Sequence, residues 1–243
     1  MASVADSATS RAADNGSARR RAQVGLLFAA IVLMAVATML VSILFPAVGD
    51  TGWFSYSSVR STGPFFWIFL TLAAAHIVVA AVAGALAALL LVPGRGWRWA
   101  TAGAALGITG AGFYALGVGG WAMVYYFAAH SPALEAPTAT AFIESVNADA
   151  FRVFAAPVTG ALAIALGTFL MAVGLWRAGT VPKWLPALGV FGSVITFVLP
   201  TDGLLGAAVE APQAIAGIMV GWYAWRRYAR PDAPAVAPAL VTR

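Results

Sequence analysis

The sequence predicts an all-α membrane protein, a polytopic bundle of six transmembrane helices with the N- and C-termini in the cytoplasm. Three observations carry this. Of 243 residues, 61% are hydrophobic and only 9% charged, where water-soluble domains average roughly 45–50% and 25%. The apolar residues gather into six blocks, about 22–46, 65–92, 99–128, 150–176, 184–200 and 204–225, each at or near the roughly 20 residues that carry a helix across a bilayer. The cations alternate between the connections. Arg11, Arg19, Arg20, Arg21, Arg95, Arg98, Arg177, Lys183, Arg226, Arg227, Arg230 and Arg243 are 12 of the 14, and they fall on one set of loops and tails. Arg60 and Arg152 alone fall on the other set. An excess of cations marks the cytoplasmic side, and an even number of spans returns both ends to it.

Each element follows in order. Residues 1–21 are rich in Ala, Ser and Asp and end in an Arg run, so they read as a disordered basic tail. The first apolar block is about 25 residues long, beyond the 7–15 of a signal-peptide core, and reads as an uncleaved helix. Residues 47–64 form a Gly- and Ser-rich connection in which Trp53, Phe54 and Tyr56 are expected against the membrane surface. Blocks two and three, and blocks four and five, are separated by short turns and should be tight antiparallel hairpins. Between blocks three and four, Phe142, Ile143 and Val146 are spaced for a short helix lying in the interface. Block six begins after Pro200 and contains Pro212. Because proline is tolerated in a first turn, the regular helix begins either near Glu210, with residues 200–209 irregular and Glu210 close to the outer surface, or at residue 203, with Glu210 deeper. Residues 22–228 are thus one transmembrane domain, and 229–243, alternating Pro with small residues, a disordered tail.

Trp and Tyr cluster at block ends, where amphipathic rings sit at headgroup level. Trp67, Trp121, Tyr125 and Tyr126 are expected at one interface, and Trp97, Trp99, Trp176, Trp184, Trp222 and Trp225 at the other. Small residues mark the helix seams. Gly160, Gly167 and Gly174 recur at seven-residue intervals, and Gly103 and Gly107 form a small-xxx-small pair. Lipid gives no hydrophobic drive for helices to associate, so close approach over such residues supplies the contact.

Several function classes are excluded. There is no cysteine, which removes disulfide frameworks, thiolate metal sites and cysteine nucleophiles. The net charge of +5 sits at helix ends and not on a folded basic face, so nucleic acid is not an expected partner. Two distant histidines, His76 and His130, suit neither haem ligation nor zinc, and no cofactor or metal is expected.

An ionisable side chain inside a span is costly and is a functional candidate by default. His76 lies about 17 Å into the second block at 1.5 Å per residue, with hydroxyls at matching depth on Thr109, Thr168 and Ser193. Of the nine acids only Glu210 lies in a block. Gln213 shares its helical side, and Arg152 and Arg60 are its candidate ion-pair partners. Tyr114 completes the candidate polar set. Asp50 and Asp202 are the other acids within plausible reach.

The stretch from residue 150 to 228 contains a small-residue helix ending in Leu-Trp-Arg, a Gly-Thr-Val-Pro-Lys-Trp turn with Trp176, Arg177, Pro182 and Trp184, and a last helix opened by Glu-x-Pro. It resembles a group of six-helix bacterial membrane proteins that carry a domain of unknown function. The resemblance implies six helices and brings no catalytic residues with it. Abundant Ala and a preference for Arg over Lys suit a GC-rich bacterial genome, and hence a bacterial cytoplasmic membrane.

Three readings of activity follow. The first is a non-catalytic binding, regulatory or accessory component, with the lipid bilayer and a small apolar ligand or lipid as partners. The second is a small-molecule or proton-coupled transporter whose outward-facing cavity is lined by Glu210, Gln213, His76 and Tyr114. The third is an intramembrane enzyme acting on a lipid or isoprenoid with Glu210 as acid. The topology itself is testable: an alkaline phosphatase reporter joined at residue 140 should be active and one joined after residue 228 inactive, and the reverse pattern overturns the orientation.

Overall fold

The computed structural model describes residues 4–44, 54–199 and 203–229, and within them every regular element is a helix. In chain order these are α1 (Val4–Leu44), α2 (Tyr56–Ser61), α3 (Pro64–Leu91), α4 (Trp97–His130), α5 (Ala136–Ala148), α6 (Ala150–Ala178), α7 (Trp184–Val198) and α8 (Gly203–Tyr228). Five contain stretches long and apolar enough to cross a membrane, namely Gly16–Leu44, Ala74–Leu91, Trp97–His130, Phe154–Ala178 and Gly203–Tyr228. The fifth apolar block is the shorter helix α7, whose 15 residues reach about 22 Å.

The six long or apolar helices close into a ring in sequence order. α1 packs on α3, α3 on α4, α4 on α6, α6 on α7, α7 on α8, and α8 returns to α1, with α3 also touching α8 and α6 across the ring. The side chains are arranged for an apolar solvent. Leu33, Leu116, Leu162, Phe191 and Leu204 point outward, Leu116 and Leu204 with 77% and 78% of their surface exposed, while the interior is dominated by Ala and Gly. Water would reject such a surface, and lipid tails match it.

The tightest seam joins α4 to α6. Gly103, Gly110 and Gly117 stand at seven-residue intervals, in line with Gly96 before the helix, and they meet Gly174, Gly167, Gly160 and Pro157 running the other way. A Cβ on Gly103 would lie 2.6 Å from the Gly167 carbonyl oxygen, and one on Gly110 would lie 2.7 Å from that of Gly160. The backbones therefore touch, and a seven-residue repeat keeps one face of each helix toward the other along the whole crossing. The hairpin turns are set by glycine at positive φ. Gly96 (φ 98°) precedes α4 and Gly179 (φ 65°) closes α6, a backbone region strained for other residues.

The two ends of the ring are packed differently. At the end bearing α2 and α5, here called distal, Phe54, Trp67, Trp121, Tyr125 and Phe154 form one aromatic cluster with ring centroids 5.3–6.2 Å apart. Polar ties hold the short helices over it. Tyr125 donates to Asn147 Oδ1 (2.5 Å), Asn147 Nδ2 donates to the Phe54 carbonyl (3.0 Å), and Arg60 Nη1 donates to the Ala129 carbonyl (2.9 Å). α2 is begun by a capping box between Ser55 and Ser58, which satisfies two backbone donors reciprocally. At the opposite, proximal end Leu91, Leu175, Leu185, Ala216 and Ala224 form an aliphatic cluster, and Tyr228 donates to the Leu90 carbonyl (2.8 Å).

The structure departs from the sequence reading in three places and decides a fourth. Residues 4–21 continue α1 and are not irregular, because extending an existing helix through Ala and Arg needs no new nucleus. Of the two starts expected for the last helix, α8 takes the one at Gly203 and is helical through Pro212, which sets Glu210 about two turns inside it. Trp67, Trp121, Tyr125 and Phe54 are buried, so these rings are core and not an interfacial belt. Trp97, Trp99, Trp176 and Trp184 at the proximal end stay exposed as expected. In α5, Ile143 turns inward and is 1% exposed, while Phe142 faces out. Trp53, Asp50, residues 200–202 and the tail beyond residue 229 lie outside the described residues.

Replacing Gly110 by Leu must force α4 and α6 apart, whereas Gly112, two positions on, has open space beside it. Gly110→Leu should lower the melting temperature in detergent by the equivalent of about 2 kcal/mol or abolish folding. Gly112→Leu should leave it nearly unchanged. Asn147→Ala should speed hydrogen exchange in α5 at a loss of about 1 kcal/mol per hydrogen bond, without altering exchange at the proximal end.

Candidate functional site

Inside the ring lies a cavity of about 460 Å³ to which all six long or apolar helices contribute. That volume is in the range of small-molecule sites. His76 from α3, Tyr114 from α4, and Glu210 and Gln213 from α8 all line it. Four side chains separated by up to 137 positions thus share one space.

Its polarity is segregated along the axis. α1 brings Thr38 and Ser42 to the distal half and Ile31 and Met34 to the proximal half. α7 brings Ser193 and Thr196 distally and Leu185 and Pro186 proximally. α8 repeats the pattern with Glu210 and Gln213 against Ala216 and Val220. α6 runs counter to this, with Ala161 and Ile164 distally and Thr168 proximally, so the distal end is a mainly polar head and the proximal end a mainly apolar foot.

α1 ties into the polar head through hydroxyls. Thr38 and Ser42 are four residues apart and hence on one face, one turn from each other. The Thr38 hydroxyl donates to the Met34 carbonyl (3.0 Å), and the same oxygen lies 3.0 Å from His76 Nε2. The Thr38 hydroxyl thus joins α1 to the imidazole of α3. The Ser42 hydroxyl donates to the Thr38 carbonyl at 3.2 Å. α1 thus brings two hydroxyls to the cavity wall, Thr38 against His76 of α3 and Ser42 one turn on, each also bonded to its own helix.

Close packing positions the α8 residues. A Cβ on Gly192 of α7 would lie 2.6 Å from the backbone nitrogen of Gln213, so α7 braces α8 directly behind Gln213 and one turn below Glu210. Beside it the Ser193 hydroxyl is buried, with 4% of the residue exposed, and has no hydrogen-bond partner. An unsatisfied buried hydroxyl costs about 1–3 kcal/mol, and this one borders the cavity.

Arg152 and Arg60 are engaged elsewhere. Arg152 pairs with Asp149 at 3.3 Å on the exposed surface, and Arg60 serves the α2 tie described above. Of the three hydroxyls matched in depth to His76, Thr109 is exposed, while Thr168 and Ser193 line the cavity. The hydroxyl that the imidazole meets is Thr38. The sequence reading missed it, and the four-residue spacing of Thr38 and Ser42 on one face of an otherwise apolar span is the signal by which it could have been found. His130 stacks on Tyr126 and meets that residue's carbonyl at 3.1 Å, far along α4 from the cavity. Among the described residues no three His, Cys, Asp or Glu side chains gather as a metal site.

No curated protein and no solved structure matches this chain. A family model described as a domain of unknown function, DUF4386, matches residues 23–225. That match spans all six long or apolar helices and every residue of the cavity, and the chain belongs to the DUF4386 family.

Proposed function

We propose that the chain is a six-span protein of a bacterial cytoplasmic membrane, with both termini in the cytoplasm and residues 22–228 as its single transmembrane domain. In this topology α1, α3, α4, α6, α7 and α8 are the spans. The distal cap of α2 and α5 faces outward, and the exposed Trp residues of the proximal end lie at the cytoplasmic headgroups. Within it the cavity binds a small molecule, and the protein acts as a binding, regulatory or accessory component without catalysis. The observation that carries this reading is the convergence of His76, Tyr114, Glu210 and Gln213 on one cavity that is mainly polar at one end and mainly apolar at the other. A site that orients an apolar molecule by a few placed polar groups has that form.

The presence of two ionisable side chains, His76 and Glu210, in one cavity supports a second reading, a proton-coupled carrier. Ionisable groups that face a cavity inside a membrane bundle are the usual parts of a proton pathway. An intramembrane enzyme acting on a lipid or isoprenoid would need a second acid beside Glu210, and its nearest candidates, Asp50 and Asp202, lie outside the described residues.

Gly84 and Gly217 line the cavity, and a Cβ on either meets nothing within 4 Å. Gly217→Leu should therefore fill the space without disturbing the wall. Protein purified in lipid nanodiscs should carry a small molecule detectable by mass spectrometry after extraction, and Gly217→Leu should lose it at unchanged melting temperature. Equal retention by the filled variant overturns the binding reading. In proteoliposomes, uptake of that molecule driven by a pH gradient and lost in Glu210→Gln selects the carrier; binding without flux selects the first reading.

A further inference from the structure

We propose that the cavity takes an alkylammonium ligand, with a protonated amine seated among Glu210, Gln213 and Ser193 and an unbranched apolar chain directed to the proximal foot. This rests on the binding reading above and names the class of molecule bound.

Charge is the first constraint. Among the described residues Glu210 is the sole carboxyl in the lining and neither Lys nor Arg contributes to it, the other ionisable lining groups being His76 and Tyr114. A carboxylate there attracts a cationic head and repels an anionic one.

Hydrogen bonding is the second. Ser193 has a buried hydroxyl oxygen with no partner. Thr196 spends its hydroxyl proton on the Ser193 carbonyl at 2.9 Å, so its oxygen can only accept from a ligand. With the Glu210 carboxylate and the Gln213 amide carbonyl, these are oxygens at one end of the cavity that can each accept a hydrogen bond. A primary ammonium carries three donors and no acceptor, which such oxygens satisfy.

Shape is the third. From Glu210 to Val220 on α8 the lining extends ten residues, about 15 Å at 1.5 Å per residue. Carbon–carbon bonds near 1.5 Å at tetrahedral angles advance about 1.25 Å each, so a chain of roughly ten carbons fits below the amine. Ala80, Gly84, Ala214 and Gly217 keep that path clear of large side chains, so an extended, unbranched chain can lie along it.

The test compares three probes of one chain length on the protein in nanodiscs at neutral pH: decylammonium, 1-decanol and decanoate. Binding is measured calorimetrically, with empty nanodiscs subtracted. Decylammonium should bind at least about tenfold more tightly than decanol, as expected for a charge-assisted contact, and decanoate weakest. Glu210→Gln should bring decylammonium to within about twofold of decanol, and Ser193→Ala should weaken decylammonium while leaving decanol unchanged. Equal binding of the three probes by the unaltered protein overturns the amine assignment and leaves the binding reading intact. A preference for decylammonium that survives in folded Glu210→Gln also overturns it. Absence of saturable binding by every probe overturns both. Should Glu210→Gln fail to fold, the order of the three probes on the unaltered protein and the Ser193→Ala result still decide.

Discussion

Backbone contact between α4 and α6 is the constraint on which the rest of the structure depends. In water a bundle is driven together by burying its large apolar side chains, but in lipid those side chains gain little by leaving the tails. The chain accordingly turns Leu and Phe outward and builds its interior from Ala and Gly. Dispersion grows as helices approach, and the heptad of glycines brings α4 and α6 so close that Gly103 faces the Gly167 carbonyl directly. With that pair fixed as a wall, α3 and α7 flank it, and α1 and α8 complete the ring. An interior lined by small side chains does not fill the middle of a six-membered ring, and the cavity is what remains.

A cavity in a membrane protein is a place where polar groups can be held away from hydrocarbon. Isolated in lipid, the imidazole of His76 and the carboxyl of Glu210 would each be expensive. α1 lowers that cost for the imidazole by presenting Thr38 to it, with Ser42 one turn on in the same cavity wall. These hydroxyls also meet their own helix, through the Met34 and Thr38 carbonyls, and so remain satisfied whichever way their outer partners move.

Much of this architecture was legible in the residues, and the parts that were not share a cause. Apolar periodicity located the helices, and the Gly160, Gly167, Gly174 heptad marked the α6 face that packs on α4. His76, Tyr114, Glu210 and Gln213 could be singled out because polarity inside a span is rare. What one sequence does not display is which helix stands beside which. His76 was matched with hydroxyls by depth alone, and its partner came from α1 because ring closure sets α1 beside α3. Trp67, Trp121 and Tyr125 sit where interfacial rings sit, and only the packing of α2 and α5 over them turns a belt into a core. Arg60 and Arg152 have the right charge for Glu210, but the folded chain engages both elsewhere.

The placement of Pro212 shows how local and tertiary effects combine at the site. Proline removes one helical hydrogen bond and loosens the turn before it, which is the turn that carries Glu210. Alone, this would leave the carboxyl poorly positioned. Gly192 offsets it from outside the helix, since its missing side chain lets α7 press on the backbone of Gln213, the next residue after the proline. α8 is thus weakened in its own hydrogen bonding and braced by its neighbour at the same level. A side chain on Gly192 would displace the brace and move both Glu210 and Gln213, so the geometry of the polar head depends on a residue that carries no polar group at all.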